Sequence, residues 1–71
     1  MEVRDVVALA QATDDNDPRR ALDAAAELRK AADRMEAAVV RRARVGGMPW
    51  SEIAKHLGVS KQAVHKKYGK R

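Results

Sequence analysis

The sequence predicts an all-α protein, a small helical domain in which a long central helix leads into a cluster of short C-terminal helices. Three observations predict it. Phenylalanine is absent, and a single Trp and a single Tyr are the only aromatics. With β-branched residues also scarce, little in the chain favours strands. Alanine is abundant and favours helix wherever it falls. Apolar residues recur at spacings of three and four, the period of a helix with one buried face.

At 71 residues the chain is read as one domain. Residues 1–45 supply N-terminal helices with a possible role in dimerisation, and 46–71 form the C-terminal cluster. A domain this short buries roughly 60% of its unfolded surface. There is no cysteine to supply a disulfide or a thiolate metal site, so dense helix packing or oligomerisation remains. Glu2, Arg4 and Asp5 interrupt the start of the chain, which excludes a secretory apolar segment there. No apolar run approaches the ~18 residues of a membrane span. The expectation is a soluble, cytoplasmic protein with no membrane partner.

The first helix is expected from about Glu2 to Ala12, with Val3, Val6, Val7 and Ala10 on one face. Thr13-Asp14-Asp15-Asn16-Asp17 is turn chemistry. Asp17 suits a helix N-cap, and Pro18 suits the first helical position, where its missing N–H costs nothing. The acids lack the glycine and distal glutamate of a calcium loop. The second helix is expected from about Pro18 to Val45. Ala21, Ala25, Leu28, Ala32, Met35 and Val39 alternate in steps of four and three, a heptad-like seam. Leu22 and Val40 lie off that seam as a second apolar patch. The seam suits an intramolecular core or a homodimer interface. Gly46-Gly47 ends the helix.

The net charge of +5 is unevenly placed. Residues 1–44 hold nine Lys/Arg and nine Asp/Glu, whereas 45–71 hold six Lys/Arg and one acid. A clustered basic end is the electrostatic footprint of a nucleic-acid binder, although a solvated basic tail has the same count.

The pattern inside that end is more specific. The string MPWSEIAKHLGVSKQAVHKKYGKR parses as a short helix, a tight turn and a second short helix. Pro49 and Trp50 open the first, and Glu52 in its first turn suits the helix dipole. Ile53 and Leu57 are expected to face inward, with Ala54 at the crossing of two helices. Gly58 stands where the chain must take positive φ. Val59 is expected to plug the core beneath the turn, and Ser60 to cap the next helix. Val64 and Tyr68 anchor that helix, and Trp50 is expected to plug the core.

A small residue, a turn glycine, a capping serine and apolar plugs at these spacings resemble the bacterial helix-turn-helix family. The residues are Ile53, Ala54, Leu57, Gly58, Val59, Ser60 and Val64. The version in sigma-factor region 4, recombinase C-terminal domains and small stand-alone regulators is the most similar. The resemblance covers about 47–71 plus the end of the long helix, and makes the C-terminal part a tri-helical helix-turn-helix. Pro49 stands where the family usually has Ser or Thr. The resemblance implies that helix 61–68 lies in the major groove of double-stranded DNA with its N-terminal residues at base edges.

Lys61, Gln62, His65 and Lys66 are then the base-facing set. Gln62 can pair bidentately with adenine, and Lys61 or Lys66 with guanine. Lys67, Lys70 and Arg71 are expected at phosphates, and the capping Ser60 completes the candidate DNA-binding residues. Arg41, Arg42 and Arg44 either extend the phosphate strip or complement a helix C-terminus. Five to seven neutralised phosphates give log K a slope on log salt of about −4.5 to −6.

The leading expectation is a sequence-specific, DNA-binding transcriptional regulator acting as a dimer. A nucleoid-type architectural protein stands as an alternative. So does an interaction adaptor or antitoxin that docks on the transcription machinery or another protein. No nucleophile–base pair or glycine-rich phosphate loop is present, so no enzyme and no catalytic residue is expected. His56 and His65 lack a third ligand at metal spacing, so no metal or cofactor is expected.

Overall fold

A computed structural model describes residues 2–69, and these are all-α. Helix α1 is Val3–Ala12, α2 is Pro18–Val45, α3 is Trp50–Leu57 and α4 is Lys61–Tyr68. The chain divides into two compact units between Met35 and Glu36, within α2.

The predicted boundaries follow from local chemistry. The Glu2 N–H donates to the Asp5 carboxylate across the first turn of α1 (3.1 Å). The Asp15 carboxylate accepts the Asp17 N–H (2.7 Å), and the Asp17 carboxylate accepts the Arg19 N–H (2.9 Å). Two acids therefore satisfy backbone donors on either side of Pro18, the first residue of α2. At the other end Gly47 takes φ 91°, and the Met48 N–H returns to the Ala43 carbonyl (3.0 Å).

The first unit corrects two predicted faces. On α1 the shielded residues are Val6, Leu9 and Thr13, while Ala10 is exposed, Val3 is 78% exposed and Val7 47%. Leu9 carries more apolar area than any valine, so turning it inward removes more surface from water. On α2 the shielded series is Ala21, Ala24, Leu28 and Ala31. The predicted seam members Ala25, Ala32, Met35 and Val39 are exposed. The seam keeps Ala21 and Leu28 and moves by one residue at its alanines. Ala24-Ala25-Ala26 and Ala31-Ala32 offer the same methyl on adjacent faces, so their sequence cannot choose between them. Among the described residues of this unit, the buried side chains are Ala24 and Ala31.

The second unit has the larger core. Val40, Ile53, Ala54 and Val64 are each at most 4% exposed, with Ala43, Met48, Trp50 and Tyr68 packed around them. Val40 comes from the end of α2, Ile53 and Ala54 from α3, and Val64 from α4. Burying Val40, Ile53 and Val64 contributes roughly 5–9 kcal/mol before chain entropy. Ile53, Ala54 and Val64 lie where the sequence predicts. Val40, expected off the main seam, is the contribution of α2 to this core.

Leu57 and Val59 do not reach it. They are 36% and 48% exposed, where the sequence placed both inward. Helix α3 has only two turns. Its last residue and the turn beyond it fall on the rim. There Leu57 and Val59 border a shallow groove with Glu36, Ala63 and Tyr68. Among the described residues no helix is long and apolar enough to cross a membrane.

Candidate nucleic-acid interface

The turn between α3 and α4 is built as its residues dictate. Gly58 takes φ 72° in the left-handed region, and its N–H donates to the Lys55 carbonyl (3.3 Å). The Val59 N–H reaches the Ala54 carbonyl (3.1 Å). Ser60 is extended, and its Oγ accepts the Ala63 N–H (3.0 Å) to cap α4. Pro49 occupies the N-cap of α3 without a side-chain hydrogen bond, which agrees with the departure seen in the sequence.

Val64, 2% exposed, turns one side of α4 into the core. The helical period puts Gln62 and Lys66 on the opposite side and His65 on the flank, while Lys61, three residues before Val64, is exposed because it opens the helix. Lys61, Gln62, His65 and Lys66 are all exposed. Lys61, Gln62 and His65 share a shallow depression with Trp50 of α3. The His65 ring meets Trp50 edge-on, with centroids 5.5 Å apart and planes at 71°. The Arg44 guanidinium lies 4.6 Å from the Trp50 centroid and donates to the Met48 carbonyl (3.0 Å). Trp50 therefore packs against the core, as expected, and also supports His65. Arg44 braces the α2–α3 connection, while Arg41 and Arg42 stay exposed.

The C-terminal end of α4 differs from its start. Tyr68 packs against the core, and its hydroxyl donates to the Glu36 carboxylate on α2. Burial, the hydrogen bond to Glu36 and the charge of Glu36 push the Tyr68 phenol above its ordinary range, with Lys67 acting in the opposite sense. The Lys67 ammonium lies 3.8 Å from the same carboxylate and 5.4 Å from the Tyr68 ring centroid. Lys67 is thus engaged with α2 and Tyr68, unlike the outward set. Lys70 and Arg71 lie outside the described residues.

Sequence reasoning missed Glu36. The pair Glu36–Tyr68 is 32 residues apart, so no local spacing announces it. The available signal was the four-residue step from Glu36 to Val40, which puts both on one side of α2 once Val40 is recognised as core.

The charge divides with the units. Residues 36–71 hold nine Lys/Arg against Glu36 and Glu52, a surplus of +7, while 1–35 hold six Lys/Arg and eight acids. Among the described residues no three His, Cys, Asp or Glu gather as a metal site. The arrangement is a short helix held in the core by Val64, with an amide, an imidazole and two ammonium groups exposed along it. The major groove of a DNA duplex, about 12 Å wide, is broad enough to admit an α-helix.

No curated protein and no solved structure matches the chain. A family model described as a homeodomain-like domain matches residues 28–68. That match takes in the end of α2, all of α3 and all of α4, which are the elements of the second core together with the helix leading into it. The chain therefore belongs to the homeodomain-like helix-turn-helix family.

Proposed function

We propose that this protein is a sequence-specific DNA-binding regulator of transcription. It acts as a homodimer, has no enzymatic role and works in the cytoplasm on the nucleoid. The observation that carries the reading is the outward face of α4. Gln62 supplies the donor–acceptor pair that adenine requires, and Lys61 and Lys66 supply donors for guanine. All three stand clear of the core on a helix capped by Ser60. The basic surplus of 36–71 gives sequence-independent affinity for phosphates. Within the family, the likeness of IAKHLGVSKQAV to sigma-factor region 4 and recombinase C-terminal domains favours a bacterial regulator.

The dimer draws support from the first unit. Its fully buried residues are alanines, while Leu22 is 69% exposed and Met35 42%. A second copy would cover what this chain leaves in water.

The test is a titration of labelled duplex with wild type and with Lys61→Ala/Gln62→Ala. Both substitutions lie on exposed positions and leave the core intact. The double variant is expected to lose discrimination between a preferred and a scrambled duplex while keeping its melting temperature. Equal discrimination by the two proteins would remove α4 as the reading helix. An architectural role is the second reading, favoured by the +7 surplus, and it predicts tight binding with no preference in either protein.

A further inference from the structure

Helix α4 is eight residues long and has one fully buried side chain, Val64. Val64 and the edge-on contact of His65 with Trp50 hold the middle of α4, so fixing the direction of its C-terminal end needs a further attachment. That attachment lies one turn on, where Tyr68 is half-buried and its hydroxyl donates to Glu36 of α2. The Lys67 ammonium, 3.8 Å away, shares the same carboxylate. Glu36 is also a negative charge beside a surface read here as meeting phosphates. Repulsion alone would make it a handicap there.

We propose that Glu36 is a positioning residue for DNA reading, which aims α4 through Tyr68 and withholds Lys67 from phosphate. The inference rests on the DNA-binding reading above. Through Tyr68 the carboxylate fixes the direction in which Lys61, Gln62 and His65 meet the bases. Through Lys67 it removes one cation from the sequence-independent part of binding. Both effects act in the same sense: they lower affinity for any duplex relative to affinity for the preferred one.

The variants E36Q and Y68F separate the two effects. Gln keeps an acceptor for the Tyr68 hydroxyl but carries no charge, so it releases Lys67. Phe keeps the packing of Tyr68 but loses the bond. Binding to a preferred and a scrambled duplex is measured across a salt series, with helix content and melting recorded for each protein.

For E36Q, affinity for the scrambled duplex is expected to rise about three- to tenfold, and the salt slope to steepen by about 0.9, the value of one added phosphate contact. The double variant E36Q/K67Q should return the slope to that of wild type. For Y68F, affinity for the preferred duplex should fall about three- to tenfold, the worth of one hydrogen bond, with the scrambled-duplex slope unchanged. A folded E36Q with the slope and discrimination of wild type overturns the proposal. So does a Y68F that reads the preferred duplex as well as wild type. Failure of wild type to hold either duplex instead refutes the DNA-binding reading itself.

Discussion

At Gly58 the backbone, not the side chain, decides the outcome. Its φ is 72°, and a Cβ placed there would meet nothing within 4 Å. Gly58→Val is therefore expected to destabilise through conformational strain alone, by about 1–2 kcal/mol. Gly58→Asn should cost less, because asparagine visits the left-handed region more readily. Thermal melting of the two variants checks the order, and a Val variant that melts with wild type would show the turn assignment to be wrong. Gln62 bears on function in the same local way. Gln62→Ala should relax preference at a single base position by about 1–3 kcal/mol, seen as a flattened column in the selected motif. Tyr68 carries a pH dependence whose sign follows from its raised pKa. A phenol whose folded pKa lies above its unfolded value stabilises the protein fully below about pH 10, and that contribution is lost as pH rises through the folded value. Wild type should thus lose stability above about pH 10 faster than Y68F does, measured by denaturant unfolding across that range. Parallel curves would mean that folding does not raise the Tyr68 pKa through burial and Glu36.

At the scale of elements, boundaries were far more legible than faces. Asp17-Pro18, Gly46-Gly47, Gly58 and Ser60 each do their job through the local backbone, so reading them needs no tertiary knowledge. The start of α4 rests on Ser60 Oγ accepting the Ala63 N–H. Ser60→Ala should cost about 1 kcal/mol and fray α4 before α3, which amide exchange at residues 61–64 would report. Equal protection in the two proteins would mean that packing of Val64 alone holds the helix. Faces failed where the sequence repeats itself. In Ala24-Ala25-Ala26 every phase of the helix offers a methyl, so the seam was placed one residue off. Leu57 and Val59 failed for a different reason. Their spacing is that of core residues, yet whether a rim position is covered depends on how deep the packed helices are. The candidate site was legible as far as the exposed set on α4, because the period from Val64 turns Gln62 and Lys66 outward, and Lys61 is exposed as the first residue of the helix. Glu36 was not legible, since it enters the site from a different helix.

For the whole molecule, the division of charge and of apolar burial sets the expectations. The acidic balance of 1–35 and the +7 of 36–71 assign phosphate contact to the second unit. With Lys67 held by Glu36, the salt slope should fall at the shallow end of the predicted range, near −4.5, the value for about five phosphates. The exposed Leu22 and Met35 make the first unit the place to test the proposed self-association. Leu22→Asp should lower the dimer fraction in sedimentation without unfolding 36–71. A wild type that sediments as a monomer at its highest soluble concentration would retire the dimer. The central claim, a dimer that reads sequence with α4, is tested most directly by selection from a random duplex pool at ~150 mM salt, where free charges are screened beyond about 8 Å. The account predicts enrichment of a two-fold symmetric motif with half-sites about one DNA turn apart. Retention of the pool without enrichment would contradict it.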